Sequence, residues 1–302
     1  MSGVGENLDA ERGQWNFKDI NHNNFEEHVS KSVPGYENGH QYISFLSDYF
    51  VNSNSIVYDI GCSTGNLISK LSDYNKKKDN IKFVGIDSVG SFEDQYKRNT
   101  ISKDHNPTHK FEFINDEIQN IELTECDLVV SYYTIQFISP RYRQEIINNI
   151  YNKLNWGSGF FFFEKVRGID ARFNEMINLA YLEYKASMGY TNDQIISKML
   201  SLKGVLEPYT TTENFNFLER AGFKDKTIIY KNLCFEGILA IKWMYLVKIL
   251  KGFLKSLIIF FTYPFTFFAI LLLSKQNIYN RIFKKYFSAG SNFKYRSLIS
   301  FI

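Results

Sequence analysis

Apolar strands alternate with helices along most of this chain, and the first strand ends in a glycine turn. The run Ser55–Ile60 leads into Gly61 and Gly65, after which residues 66–71 have helical spacing. Further apolar runs follow at 81–87, 111–114, 127–133, 159–166, 226–231 and 234–242. Continuous apolar strands flanked by helices are typical of a parallel sheet that is covered on both faces. The pattern therefore predicts an α/β, Rossmann-like fold with a seven-stranded sheet.

The order of these segments also predicts the domain organisation. Helices are expected at 140–154 and 211–221, and a helical insertion at 168–203 precedes the last two strands. We predict that residues 51–242 form one ligand-binding domain and that residues 1–50 form an N-terminal lid segment. This length is sufficient for a single hydrophobic core.

The glycine turn and two aspartates predict a cofactor site. Glycines at 61 and 65 let the backbone approach a ligand closely, and the next helix points its N-terminal amides at it. Asp87, at the end of the second strand, can accept hydrogen bonds from both hydroxyls of a ribose. A GxxxG turn preceded by Asp59 differs from the GxGxxG turn that holds a pyrophosphate. It suits a cofactor with an amino acid and a sulfonium, which is S-adenosylmethionine.

Several motifs also carry a family resemblance. The chain reads Lys-Ser-Val-Pro-Gly-Tyr at 31–36, Tyr-Asp-Ile-Gly-Cys-Ser at 58–63 and Tyr-Thr-Ile-Gln-Phe at 133–137. In these motifs it resembles the carboxy-S-adenosylmethionine synthases, relatives of the class I methyltransferases that act in tRNA wobble-uridine modification. The resemblance implies a class I sheet whose last strand is antiparallel, closed by a helical lid.

The resemblance also implies roles for individual residues. Tyr36 would lie over the cofactor, Gly61 would line its methionine part, and Asp116 or Glu117 would reach its adenine. The residues predicted to bind the cofactor are Tyr36, Asp59, Gly61, Cys62, Ser63, Gly65, Asp87, Ser88, Asp116, Glu117 and Ser131.

Two positions depart from the family pattern. Family members have an arginine that pairs with the carboxylate of the carboxylated product where this chain has Met199, and an asparagine where it has Tyr132. Loss of a charge-assisted partner for a buried carboxylate costs several kcal/mol. Lys198 lies about 100° round the helix from Met199 and would replace the arginine only if the lid shifted. These changes favour plain S-adenosylmethionine and transfer of its methyl group.

Candidate catalytic residues follow the fourth and fifth strands. Tyr132 and Gln136 lie where class I enzymes face their acceptor, and Glu164 is a candidate general base at the end of the fifth strand. Arg141 and Arg143 are candidates for binding an anionic acceptor. The spacing of the histidines and cysteines indicates neither a metal site nor a disulfide framework.

The C-terminal segment has a different composition. From Gly237 to Ile302 there are ten lysines and arginines and no aspartate or glutamate, while the rest of the chain has 25 basic and 32 acidic residues. The basic residues flank an uncharged apolar run, Ser256–Leu273, which contains Pro264. This pattern predicts that residues 243–302 associate with a membrane by crossing it, dipping into it or lying on it. The enzyme part would remain on the cytoplasmic side, and its acidic balance disfavours nucleic acid as a direct partner.

These observations together predict a methyltransferase that acts on a small or lipid-linked acceptor near a membrane, with its lid region held close to the bilayer. Two alternatives remain open. The first is a carboxy-S-adenosyl-L-methionine synthase that uses S-adenosylmethionine and prephenate. The second is a non-catalytic subunit that retains the fold. The acceptor, and whether the chain forms a homodimer, stay open.

Overall fold

The computed structural model describes residues 25–101 and 105–243, and a seven-stranded sheet forms the centre of this part. The strands are β1 (Ile56–Ile60), β2 (Lys82–Asp87), β3 (Lys110–Asn115), β4 (Cys126–Tyr132), β5 (Leu154–Lys165), β6 (Asp225–Asn232) and β7 (Phe235–Ile241). Their order is β3-β2-β1-β4-β5-β7-β6, and β7 runs antiparallel to both of its neighbours. The predicted fold class is confirmed.

Eight α-helices are present among the described residues. They are α1 (Phe25–Ser32), α2 (Tyr36–Ser47), α3 (Asn66–Tyr74), α4 (Glu93–Ile101), α5 (Pro140–Lys153), α6 (Ala171–Ser187), α7 (Asn192–Ser201) and α8 (Thr211–Ala221). The described part of the predicted lid segment forms α1 and α2, and the predicted insertion forms α6 and α7. Capping boxes define where α7 and α8 begin, because Thr191 and Thr210 each accept a hydrogen bond from the third residue of their helix.

Side-chain alternation along β5 explains why the sheet is covered on both faces. Phe161 and Phe163 pack into one apolar cluster with α2 and α3, while Phe160 and Phe162 pack into another with α5 and α8. All four phenylalanines are almost fully buried. Successive residues of a strand point to opposite faces, so a strand buried on both sides is apolar at every position.

No helix in the described ranges is long and apolar enough to cross a bilayer. The apolar run Ser256–Leu273 and the rest of the predicted membrane segment lie outside the described residues. Its predicted association with a membrane stays a prediction.

Candidate active site

A cavity of about 980 Å³ lies at the carboxyl ends of the parallel strands. Its walls come from the segments that follow β1, β2, β3 and β4, from the end of β5, and from α1, α6 and α7. Ligand sites of open α/β sheets occur at this edge, because the loops that leave neighbouring strands diverge there. The cavity is therefore the candidate active site.

Asp87 stabilises the turn that follows β1 by hydrogen bonds to its backbone. The Asp87 carboxylate accepts hydrogen bonds from the backbone amides of Ser63 and Val89, each at 2.9 Å. Gly61 has a φ of 76°, and a Cβ there would overlap the Thr134 side chain. A glycine is therefore required both for the backbone conformation and for the close approach of the β4 loop.

Asp59 is the next-to-last residue of β1 and lines the cavity beside this turn. We call Asp59, Asp87 and the turn from Gly61 to Gly65 the cradle. Its Oδ1 atom is buried and has no hydrogen-bond partner among the described residues. Burial raises the pKa of the Asp59 carboxyl to about 8, and repulsion from Asp87 adds to the shift. A buried carboxylate without a partner is costly, and a cationic ligand would offset that cost.

The structure brings most of the predicted cofactor residues to the cavity. Its lining includes Tyr36, Asp59, Gly61, Cys62, Ser63, Asp87, Ser88, Asp116 and Glu117. Two predicted residues are outside this lining. Gly65 precedes α3 and faces the Tyr96 ring, and Ser131 is fully buried within β4 with no hydrogen-bond partner for its hydroxyl among the described residues. Gly65 therefore shapes the turn from behind.

Aromatic side chains from α2 and β4 form part of the cavity wall. Tyr132 donates a hydrogen bond from its hydroxyl to the Tyr36 carbonyl at 2.5 Å, and the two rings lie 5.0 Å apart. His40 packs against both rings at 4.6 Å. Because its hydroxyl is engaged with the backbone of α2, Tyr132 fixes α2 over the cavity.

The other two candidate catalytic residues differ in placement. Gln136 lines the cavity, but its amide is engaged: Oε1 accepts from the Lys165 backbone amide at 2.6 Å and Nε2 donates to the Tyr133 carbonyl at 3.2 Å. Glu164 is buried and does not line the cavity. It lies on the face of β5 opposite Lys165, since adjacent strand residues alternate. Its role as general base has no support from this geometry.

Arg143 is also placed differently from the expectation. It is almost fully buried and donates to the backbone carbonyls of Ile138, Glu207 and Gln136 at 2.7–2.8 Å. The predicted binding of an acceptor by Arg143 is therefore wrong. Its guanidinium instead holds the loop after β4 against the segment that precedes α8.

Four lysines line the cavity, and three of them lie at its end away from the cradle. Lys165 ends β5, Lys185 lies near the end of α6, and Lys198 lies on α7. The ammonium groups of Lys165 and Lys185 lie 4.6 and 4.9 Å from the centre of the Tyr181 ring, and Lys198 donates to Ser32 Oγ at 3.2 Å. We call these three residues the lysine cluster.

The lysine cluster has an unusual charge balance. The acidic residues of the described cavity lining, Asp59, Asp87, Asp116 and Glu117, all belong to the cofactor end. Burial lowers the pKa of Lys185 to about 8, helped by repulsion from Lys165, and burial followed by repulsion from both other lysines lowers the pKa of Lys198. Lys185 is only 4% exposed, and buried cations are normally paired with anions, so its position in the lining indicates a site for an anionic ligand.

Comparison with known proteins was made over the whole chain. Residues 58–160 match the family model of a methyltransferase domain. The chain is 37% identical over 230 residues to the carboxy-S-adenosyl-L-methionine synthase of Staphylococcus epidermidis, covering 76% of this chain and 97% of the relative. It is 33% identical over 218 residues to the protein of the same name from Campylobacter lari, covering 72% and 90%.

The chain belongs to the carboxy-S-adenosyl-L-methionine synthase family. A solved structure of a putative O-methyltransferase from Nostoc punctiforme superposes with a TM-score of 0.51 at 17% identity, covering 73% of this chain and 60% of that one, and shows the shared fold. The chain is thus a class I enzyme, a transferase that depends on S-adenosylmethionine.

The cradle of this family member fits S-adenosylmethionine. The partnerless Asp59 oxygen suits a cationic group, Asp87 has acceptor capacity beyond its two amide contacts, and the Gly61 turn leaves room that a side chain would fill. Bound there, S-adenosylmethionine supplies a carbon activated by the adjacent sulfonium. The residues that would hold it are Asp59, Gly61, Ser63, Asp87 and the segment Asp116–Glu117.

Helix α1 covers the cavity and is tied to two different parts of the synthase fold. The Glu26 carboxylate accepts from Thr64 Oγ1 at 2.5 Å and from Asn66 Nδ2 at 2.9 Å, beside the cradle. At the other end of the helix, the Ser32 carbonyl accepts from the Tyr181 hydroxyl at 2.8 Å. Helix α1 therefore joins the cradle to α6, and the lid role of residues 1–50 stays a prediction.

Sequence reasoning missed the lysine cluster as a group. The sequence motifs give Lys198 a role only as a replacement for the arginine and give Lys165 and Lys185 none. Strand alternation offered one signal, since it places Lys165 with Phe161 and Phe163 on the face that carries α2. No spacing along the chain relates Lys165 to Lys185 or Lys198.

We predict that binding of S-adenosylmethionine tightens as pH rises from 6 to 8. The ligand is cationic, and Asp59 attracts it only when the carboxyl has lost its proton, which happens near pH 8. Calorimetry at three pH values measures the slope, and Asp59→Asn should flatten it. An unchanged slope in Asp59→Asn would show that another group controls binding.

Loss of the Asp59 proton strengthens ligand binding but lowers the stability of the unliganded protein. Between the ordinary pKa of 3.8 and the raised value of about 8, folded Asp59 retains a proton that the unfolded chain loses. The free energy of unfolding therefore decreases as pH rises through this window. Glu164, whose pKa burial also raises to about 8, contributes a slope of the same sign that remains in Asp59→Asn.

Proposed function

We propose that this protein converts S-adenosylmethionine to its carboxylated form, using a small anionic carboxyl donor that binds at the lysine cluster. The observation that supports this most strongly is the lysine cluster itself, which lines one end of the cavity while the acidic lining residues lie at the other end. Two relatives that are 37% and 33% identical to this chain bear the name of this activity.

The missing arginine at position 199 is the main observation against this reaction, and the lysine cluster supplies cations in its place. Met199 stands where the resemblance implies an arginine, and its side chain is 53% exposed. Lys198 is only 9% exposed and lines the cavity without any shift of α7. This position supports Lys198 as a replacement for the arginine. Lys198, which is next to Met199 in the sequence, supplies a cation at the end of the cavity where the donor would bind.

Prephenate, the donor implied by the resemblance, fits the chemistry of this end of the cavity. In a balanced reaction, its ring carboxyl leaves as carbon dioxide and joins the methyl carbon, and its ring hydroxyl leaves as hydroxide. The hydroxide takes the proton that the methyl carbon loses, so the products are carboxylated S-adenosylmethionine, phenylpyruvate and water. No external oxidant or reductant is needed.

The chain's own groups have defined tasks in this proposal. Lys165, Lys185 and Lys198 neutralise the donor's carboxylates and orient them at their end of the cavity. Tyr181 supports two of the ammonium groups with its ring face. Gln136 holds the backbone of Lys165 in place through the hydrogen bond to its amide.

Mass spectrometry tests the proposal directly. The purified full chain is incubated with S-adenosylmethionine and prephenate, and the products are identified. We expect the carboxylated sulfonium and phenylpyruvate in equal amounts, and neither product when prephenate is omitted. Binding of S-adenosylmethionine with no product from prephenate would overturn the choice of donor. Formation of S-adenosylhomocysteine on adding an acceptor would instead support methyl transfer.

Methyl transfer to a small or lipid-linked acceptor near a membrane remains the second candidate, because Tyr132 and Met199 depart from the family pattern at the reaction end of the cavity. An aromatic and a thioether side chain favour a less polar substrate than arginine and asparagine would. This candidate function depends on residues 243–302 only for delivery of the acceptor from a bilayer.

A further inference from the structure

The described chain ends at the edge of the sheet opposite the cavity. Strand β7 runs antiparallel to β5, so its last residue, Ile241, pairs with Gly159 near the start of the parallel strands. The cavity lies beyond the other ends of these strands, where Lys165 pairs with Phe235. The described part of the chain therefore ends, at Trp243, at the amino-terminal edge of the sheet.

Contacts of Lys242 fix this exit point. Its ammonium donates to the carbonyls of Asn152 and Leu154 at 3.1 and 2.7 Å, at the end of α5. It also lies 5.0 Å from the centre of the Trp156 ring. The position of Trp243 at this edge is thereby tied to the rigid core of the domain.

Large aromatic side chains are exposed at this same edge. Trp156 is 49% exposed, Trp243 59% and Tyr49 80%. Tyr49 precedes Phe50, which packs against Gly159 and Phe161, and so belongs to the loop that enters β1. We call Tyr49, Trp156 and Trp243 the aromatic edge. Tryptophan and tyrosine with apolar bodies and polar tips are enriched where a protein meets lipid headgroups.

The charge of the chain beyond this edge points to the same partner. At the edge itself both signs are exposed: Lys76 and Lys77 lie in the loop that enters β2 with Asp79, and Lys78 pairs with exposed Asp48 at 2.6 Å. The chain that continues from Trp243 has nine further lysines and arginines and no acidic residue. Basic residues near an anionic bilayer each strengthen the attachment.

We propose that the aromatic edge lies against an anionic lipid bilayer, so that the mouth of the active site faces away from it. This orientation goes beyond the proposed reaction and reverses the expectation that the lid is held near the membrane. It assigns the site to water-soluble substrates that arrive from the aqueous phase. Membrane attachment then determines where the enzyme works, without supplying its substrate.

Tryptophan fluorescence with brominated lipids tests the orientation in the full chain. The chain has three tryptophans, at 15, 156 and 243. In a Trp15→Phe protein, vesicles of brominated phosphatidylglycerol should quench the emission of the remaining two. In a second protein with all three replaced by Phe, Phe173→Trp places a reporter on α6, at the cavity edge, where Phe173 is 50% exposed. That emission should remain unquenched at lipid concentrations where co-sedimentation shows this reporter protein to be bound to the vesicles.

Vesicle co-sedimentation provides the matched comparison. Joint substitution Tyr49→Ser and Trp156→Ser should weaken binding to phosphatidylglycerol vesicles about tenfold, because each ring loses apolar contact with lipid. Phe173→Ser with Leu179→Ser removes two exposed apolar side chains from α6 and should leave binding unchanged. Quenching of the Phe173→Trp reporter, or no binding of the unmodified chain to these vesicles, would overturn the proposal. Neither outcome depends on catalytic activity, so failure of the proposed reaction is detected separately.

Discussion

Substitution Lys185→Met is expected to lower kcat/KM for prephenate by about ten- to a hundredfold, with little change in the Kd for S-adenosylmethionine. A hydrogen bond between charged groups in a buried site contributes about 1.5–3 kcal/mol, and each 1.4 kcal/mol corresponds to about tenfold. Lys185 is 4% exposed and lies at the end of the cavity away from the cradle. Steady-state kinetics and calorimetry measure the two effects separately.

Two observations distinguish a role in binding from a role in folding. Removing Lys185 relieves repulsion with Lys165 and the cost of a buried charge, so the melting temperature should stay constant or rise. Lys203→Met is the matched control, because Lys203 borders the same cavity but is exposed. An equal loss of kcat/KM in both variants would contradict the lysine cluster as the anion site.

The pH dependence of prephenate binding provides an independent check. Because the pKa of Lys185 is lowered to about 8, the protonated form that attracts an anion decreases as pH rises above this value. The KM for prephenate should therefore increase above pH 8 in the unmodified enzyme, and less steeply in Lys185→Met.

Asp87→Asn is expected to weaken binding of S-adenosylmethionine at least about a hundredfold. The carboxylate accepts from the Ser63 and Val89 amides, and an asparagine offers only one oxygen while its amide hydrogens oppose the second N–H. The turn after β1 then loses part of its support, and the acceptor that would face the ribose is lost as well. Calorimetry with S-adenosylmethionine measures the loss.

Asp79→Asn is the control for this change, since Asp79 is an exposed aspartate at the opposite edge of the sheet. It should leave the affinity within about twofold of the unmodified protein. Amide exchange near Ser63 should increase only in Asp87→Asn. An Asp87→Asn protein that binds S-adenosylmethionine normally would show that the cradle does not depend on this carboxylate.

The fold and the cofactor end of the site were predictable because their signals are local. Apolar runs separated by helical spacing identified all seven strands, and the glycine turn with Asp59 and Asp87 identified the cradle. These features arise from a few neighbouring residues or from the ends of adjacent parallel strands, which always meet at one edge. Gly65 and Ser131 mark the limit of such local signals, because they are close in sequence to cavity residues but do not line the cavity.

The anion end of the site was not predictable, because its groups come from separate elements. Lys165, Lys185 and Lys198 meet only after β5, α6 and α7 have packed together. The alternation of β5 turns Lys165 toward the cavity and Glu164 away from it, which reverses the preference for Glu164 as a catalytic residue. Similarly, the packing of α7 buries Lys198 and exposes Met199.

By itself the sequence determined the seven-stranded α/β fold, the S-adenosylmethionine cradle and the basic composition of residues 243–302. These depend on periodicity, turn chemistry and charge, which act between neighbours in the chain. Only the tertiary structure decided that three lysines share one end of the cavity and that Trp243 leaves the domain at the opposite edge. Both depend on the direction in which distant segments are packed, and no local pattern encodes that direction.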